Sequence, residues 1–332
     1  MLNRRKVLLT AGSVAVLGGR AFAQQSTPPG TDPLSAWNEG QAKAAIVEFV
    51  DRVTRAGSSQ FIPVSERIAT FDNDGTLWPE NPMPFELAFA VDVSRAQTSS
   101  STSAAGSKTP DRSAKQPRNR KQVIEDLVLA THTGSTIDQF NSSVRNWIES
   151  AVHPTFKVPY TALAYQPMLQ VLNYLRAYEF KTFIVSGGGA TFMRVFAERV
   201  YGIPPEQVIG TLFKTKFSMV DDKPVLTILP QIVHVDDRAG KPVAIQQIIG
   251  RRPIAAFGNS DGDLEMLQLT TISHRPSLGM IIHHTDGDRE WAYDRHPASS
   301  GRLSAALDEA PRRGWIIVDM KRDWNTVFKS VT

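Results

Sequence analysis

The 332 residues are 41% hydrophobic and 21% charged, which suits a globular protein with ample chain for one large or two modest cores. The formal charge of +4 comes from the first 23 residues, which hold Arg4, Arg5, Lys6 and Arg20 and no acid; the remainder carries equal numbers of basic and acidic residues, so charge gives no reason to invoke nucleic acid. The chain has no cysteine, which excludes a disulfide framework and a thiolate nucleophile.

Residues 1–23 read as a signal peptide: Arg4-Arg5-Lys6, an apolar stretch over 7–17 too short to span a bilayer comfortably, then Ala21-Phe22-Ala23 as a small-x-small cleavage site. The paired arginines also fit the twin-arginine export route, with Asn3 before them and Val7 departing from its usual pattern. The expected location is periplasmic or secreted, with no stable membrane insertion after cleavage. Residues 24–66 are expected to form a tether, rich in Ser, Thr, Pro and Gly over 24–32, and an amphipathic helix over 33–55 with Trp37, Ala44, Val47 and Val50 on its buried side.

The apolar run 68–71 predicts a short buried strand that delivers two acids, Asp72 and Asp74, followed by Gly75 and Thr76. In an open α/β sheet, ligands bind just past the carboxyl ends of the strands. Two carboxylates there repel one another unless a cation sits between them or one keeps its proton. Trp78 and Glu80 stand just beyond, in reach of a substrate, although packing explains Trp78 equally well. Residues 85–93, 123–130 and 137–152 have helical spacing. Between them, 94–121 has almost no large apolar residue and is expected to be a disordered insertion, since it buries too little to offset its ordering entropy.

A helix over 166–179 leads into a second buried strand, 181–185, which ends in Ser186-Gly187-Gly188-Gly189. Small residues before a helix let backbone N–H groups approach an oxyanion. Runs over 212–220 and 225–229 predict a hairpin around residues 221–224. Two lysines, Lys223 and Lys241, are candidates for an anion; Lys241 is preferred because it opens a helix feeding the third strand, 253–257, which ends in Gly258-Asn259-Ser260-Asp261-Gly262-Asp263. Further strands are expected at 280–282 and 315–318. His283 and His284 are adjacent on a strand and so point to opposite faces, which argues against a metal pair.

The segments 67–78 and about 180–270 together resemble the haloacid dehalogenase superfamily, whose members carry an Asp-x-Asp-x-Thr segment, then a Ser or Thr at a strand end, a Lys, and acids after another strand. The resemblance implies an α/β fold with a Rossmann-like parallel sheet, a catalytic core from 67–78 and 180–332, and a mainly α-helical cap inserted over 79–179. It implies that Asp72 is the nucleophile and Asp74 the general acid/base. Ser186, Gly187 and Lys241 would hold the phosphoryl oxygens, with Mg²⁺ on Asp72, Asp74, Asp263 and Asn259, and Thr76 would brace the first loop. Many relatives have Asp where Asn259 stands, so one negative charge is missing; Asp261 is an alternative source. The cap's placement is similar to that of the phosphoserine phosphatase-like group, without establishing phosphoserine as substrate. The expected activity is exported, Mg²⁺-dependent hydrolysis of a small phosphorylated substrate through an aspartyl phosphate, with a phosphate-ester-binding protein or a phosphotransferase as alternatives.

Overall fold

The computed structural model describes residues 32–102 and 120–329. The signal segment 1–23, the tether to residue 31 and residues 103–119 lie outside the described residues. The short apolar run after Arg67 forms β1 (Ile68–Phe71), all four residues buried. Its neighbours are β2 (Lys181–Gly189) on one side and β5 (Ala255–Gly258) on the other, both parallel. Strand β3 (Val208–Val220) extends the sheet beyond β2, and β6 (Leu278–Thr285) beyond β5, again in parallel. At one margin β4 (Lys223–His234) pairs antiparallel with β3, and at the other β7 (Ala292–Tyr293) and the parallel β8 (Ile316–Asp319) both pair with β6. The expected hairpin is thus present, turning at Asp221 and Asp222, whose φ angles of 49° and 57° suit a tight two-residue turn.

Parallel strands covered on both faces read as continuous apolar runs. Side chains that alternate along each strand divide between two cores. Ala69 and Phe71 belong to one, together with Ile184 and Phe257; Ile68 belongs to the other, with Val185, Ile209 and Ala256. Phe71 and Phe257 stack face to face at 4.4 Å across neighbouring strands.

The first core is covered by α1 (Gln41–Thr54), through a face that shares Val50 with the predicted one but is otherwise rotated from it. The helix buries Ala42, Ile46, Phe49, Val50 and Val53, leaving Ala44 and Val47 exposed. Trp37 precedes the helix and packs edge-on against Trp324 at 5.9 Å. Between β1 and β2 come α2 (Phe85–Thr102), α3 (Arg120–His132), α4 (Ile137–Ser150) and α5 (Gln166–Ala177). The insertion is therefore mainly helical, and Thr136 opens α4 with a reciprocal cap to Gln139.

One expectation about this insertion changes. Helix α2 continues to Thr102 and α3 begins at Arg120, so both ends of the 94–121 stretch expected to be disordered are helical. Extending a helix already nucleated by 85–93 costs far less than starting one. From the insertion, Phe85, Phe89, Phe140, Val144 and the α5 residues Met168, Val171 and Leu175 join the cluster that contains Phe71.

The remaining helices are short: α6 (Ala190–Arg194) and α7 (Ala197–Tyr201) after β2, α8 (Gly240–Ala244) before β5, then α9 (Leu264–Thr271), α10 (Ala305–Arg313) and α11 (Met320–Asp323). No helix among the described residues is long and apolar enough to cross a membrane.

Candidate active site

Asp72 is the first residue past β1, and its N–H donates to the Phe257 carbonyl at 2.9 Å, so the sheet itself fixes its position. The chain then turns sharply, with the Gly75 N–H donating to the Trp78 carbonyl at 2.7 Å. Gly75 has φ +77°, and a Cβ there would stand 2.0 Å from Asn259 Nδ2 and 2.5 Å from Glu80 Oε1. Only glycine permits this loop to close around those two side chains.

Lys241, at the start of α8, is 2% exposed. Its ammonium reaches Asp72 Oδ1 at 3.0 Å, Asp263 Oδ1 at 2.5 Å and the Val185 carbonyl at 2.8 Å. Burial alone would discourage its charge, but Asp263, Asp72 and Asp236 outweigh that and hold the ammonium above the ordinary lysine range. Lys223 lies exposed at the hairpin turn, so the preference for Lys241 stands.

Asp74 Oδ1 accepts the indole N–H of Trp78 at 2.7 Å. Trp78 is fully buried, stacked on Phe196 at 4.6 Å. It therefore does more than fill space: it orients an acid. Burial raises the Asp74 carboxyl to about 7; the Trp78 bond works against this, and the charges of Glu80 and Glu86 add to it. Burial, then the charge of Asp263, also pushes Asp72 well up, while Lys241 pulls it down.

Ser186, on β2, is buried, and its Oγ accepts the Gly188 N–H at 3.3 Å. A Cβ on Gly188 would stand 3.8 Å from both Ser186 Oγ and Asp74 Oδ2 and 3.3 Å from Glu86 Oε2, so these groups converge on one small volume. The Gly187 carbonyl is fixed by the Thr211 hydroxyl at 2.7 Å. Asp72, Asp74, Ser186, Gly187 and Lys241 all line one cleft of about 690 Å³, with Leu87, Val128, Phe213, Ile232 and Val235 among its apolar lining residues.

A family model for haloacid dehalogenase-like hydrolases matches residues 69–268, more than half of the chain. The chain belongs to the haloacid dehalogenase-like hydrolase family. No curated protein matches it. Among solved structures, a conserved protein of unknown function from Anaerococcus prevotii is 15% identical, with 82% of this chain and 88% of that one covered and a TM-score of 0.51, which shows a shared fold. Fainter likenesses are a haloacid dehalogenase family hydrolase from Salmonella enterica serovar Typhi (15% identical, 74% and 70% covered, TM-score 0.37) and a phosphoserine phosphohydrolase-like protein from Francisella tularensis (12% identical, 73% and 98% covered, TM-score 0.35).

In the loop after β5, the expected ligand residues also make structural contacts. Asp263 Oδ1 is held by Lys241, and Oδ2 accepts the N–H groups of Asn259 and Ser260 at 3.0 Å each. Asp263 therefore orients Lys241 and the loop. Asp261 lines the cleft, and its Oδ1 accepts the N–H groups of Ser304 and Ala306 at 2.8 and 3.1 Å, at the start of α10. Asn259 donates through Nδ2 to Glu80 Oε1 at 2.6 Å and accepts the Thr76 hydroxyl at 3.2 Å, which is the bracing role expected of Thr76.

The family resemblance implies Mg²⁺. Among the described residues no three Asp, Glu or His side chains converge as a complete ligand set. The charges nevertheless fit a hard dication: Asp72, Glu80 and Asp263 are buried and Asp74 half-buried, at or beneath the cleft, with Lys241 the buried lysine among them. Mg²⁺ commonly takes one or two carboxylates and fills its octahedron with water and substrate oxygens. Asp72, Asp74 and the Asn259 carbonyl oxygen are the groups suited to hold it.

Sequence reasoning missed Glu86 and His132. Glu86 Oε2 accepts the Gly189 N–H at 2.7 Å, and Oε1 lies 3.0 Å from His132 Nε2, joining α2 and α3 to the end of β2. No spacing signal announces contacts between residues 103 and 46 positions apart. His283 and His284 do point apart, His283 toward Asp294 at 3.5 Å and His284 toward Glu290 and the Gly75 carbonyl at 3.0 and 2.8 Å.

Proposed function

We propose that this chain is a Mg²⁺-dependent phosphomonoester hydrolase that works through an aspartyl phosphate and is exported. The single observation that carries the chemistry is the pair at the end of β1: Asp72 paired with Lys241, and Asp74 raised to about 7 beside it. A group poised near neutrality can both give and take a proton.

In the first step an Asp72 carboxylate oxygen attacks phosphorus. The bond to the leaving oxygen breaks as Asp74 gives that oxygen its proton. In the second step Asp74, now a carboxylate, takes a proton from water, and the resulting hydroxide attacks phosphorus. Asp72 is released together with inorganic phosphate. Lys241 and Ser186, with the Gly187 backbone, are suited to hold the equatorial oxygens, where most catalysis of phosphoryl transfer lies. Bound Mg²⁺ would supply charge neutralisation at those oxygens.

Phosphate release from p-nitrophenyl phosphate, dependent on Mg²⁺ and lost in Asp72→Asn, is the test. A wild-type protein that binds phosphate esters without releasing phosphate would establish the binding-protein alternative. Export rests on residues 1–23; periplasmic or medium fractionation of the full-length chain, with and without Arg4→Lys and Arg5→Lys together, tests both the location and the route.

A further inference from the structure

Asn259 stands where many haloacid dehalogenase-like proteins have an acid; Asp263 has both oxygens hydrogen-bonded, and Asp261 holds the start of α10 through Oδ1. A third carboxylate does lie beside it. Glu80 is 3% exposed, lines the cleft that Asp72 and Asp74 line, and brings Oε1 to 2.6 Å from Asn259 Nδ2. Two glycines make the space. A Cβ on Gly75 would stand 2.5 Å from Glu80 Oε1, and one on Gly301 would stand 2.0 Å from the same atom. The hydrogen-bond donors to that oxygen, Asn259 and the Tyr293 hydroxyl at 2.8 Å, are both neutral. His284 acts on Glu80 only through space and is itself paired with Glu290 at 3.0 Å. A carboxylate buried among neutral donors is costly unless a cation shares its surroundings.

We infer that Glu80 is a positioning residue for the metal: it supplies beside Asn259 the negative charge that Asn259 lacks, the two side chains forming a reciprocal carboxylate–amide pair. Two consequences follow from one contact. Glu80 draws the NH₂ group of Asn259 toward itself, which leaves the amide's carbonyl oxygen, one lone pair of which accepts the Thr76 hydroxyl at 3.2 Å, to offer its other lone pair to a cation. It also keeps the formal charge of the pair at minus one, the value that an acid at 259 facing an amide at 80 would give.

This inference rests on the hydrolase reading for the identity of the site, but its test reads binding and not turnover. Mg²⁺ alone is titrated into the full chain without substrate, followed by calorimetry and by the shift in thermal unfolding, for wild type, E80Q and E80Q/N259D. E80Q is expected to weaken Mg²⁺ binding about tenfold or more, equivalent to about 1.4 kcal/mol. Exchanging the pair in E80Q/N259D is expected to return binding to within about threefold of wild type, as the reciprocal charge requires.

Mg²⁺ binding unchanged in E80Q overturns the inference, and a lower unfolding temperature at unchanged Mg²⁺ binding does so equally, since it marks Glu80 as structural only. A double variant that folds but remains as weak as E80Q overturns it too. Should E80Q lack a cooperative transition, the double variant decides alone on the same criterion. Wild-type turnover of p-nitrophenyl phosphate is measured in parallel. Turnover with unaltered Mg²⁺ binding in E80Q removes this inference and leaves the hydrolase reading standing; Mg²⁺ binding that follows the expected pattern without turnover does the reverse.

Discussion

Trp78 donates its indole N–H to Asp74 Oδ1 at 2.7 Å from within a fully buried aromatic cluster. A hydrogen bond to the charged form of an acid lowers its pKa, so this bond restrains a carboxyl that burial drives upward to about 7. Trp78→Phe keeps a ring in place and removes the donor. Asp74 must be protonated to assist leaving-group departure, so kcat/KM on an alkyl phosphate should fall as pH rises through its pKa. In Trp78→Phe that alkaline limb should lie about one pH unit higher than in wild type. An unmoved limb would separate Trp78 from the proton transfer.

Asp72 and Asp74 divide the labour by position. Asp72→Asn should be inactive on aryl and alkyl phosphates alike, because no covalent intermediate can form. Asp74→Asn should lose about 10²–10⁴-fold on an alkyl ester, the usual worth of acid–base assistance. It should lose less on p-nitrophenyl phosphate, whose leaving group departs without a proton, and should accumulate phosphoenzyme because the second step still needs a base. Rapid quench with a ³²P-labelled ester distinguishes these outcomes. Equal losses on both esters with no trapped intermediate would reverse the assignment.

Asp263 shares its oxygens between the Lys241 ammonium and two backbone N–H groups. Asp263→Asn leaves a buried lysine short of a countercharge, and breaking such a pair typically costs about 3–5 kcal/mol. Asp261→Asn touches only the cap of α10 and should cost about 1 kcal/mol or less. Denaturant unfolding without metal should show this order. Similar small losses in both would show that the Lys241–Asp263 pair adds little to the fold.

Gly75 combines φ +77° with atoms standing 2.0 and 2.5 Å from a would-be Cβ. Gly75→Ala should therefore cost more than the roughly 1 kcal/mol of an ordinary interior glycine exchange, and should lower activity by displacing Asn259 and Glu80 together. A fully active and equally stable variant would show that the loop has slack.

Much of this site was legible because its residues cluster at strand ends. Asp72, Ser186 and Asn259 each follow a short apolar run, and parallel pairing of β1 with β2 and β5 brings those ends together. The hairpin was legible for a similar reason, two alternating runs around Asp221 and Asp222. The partners of a carboxylate are not written in spacing. For Asp263, neither the bonds to the backbone of its own loop nor the one to a lysine 22 residues away could be read from the sequence. Glu80 was noted only as near the first loop; its contact with Asn259 spans 179 residues. On α1 the buried face was misjudged because the helix begins at Gln41, so Trp37 carries no information about its phase. Helix α2 outran the apolar residues that start it, since local composition does not mark where an established helix stops.

The bond from Glu86 to the Gly189 N–H has a consequence for how a substrate arrives. Glu86 belongs to α2, whose Phe85 and Phe89 are packed in the same core as Phe71 of β1. Swinging the helices aside as a hinged lid would tear apart that shared interior and strip a backbone donor beside the reacting groups. Admission must instead run through the standing mouth of the cleft, past the exposed Arg238 and Arg302. On the proposed hydrolase reading, the dimensions of that doorway, more than any closing motion, then decide which esters are turned over.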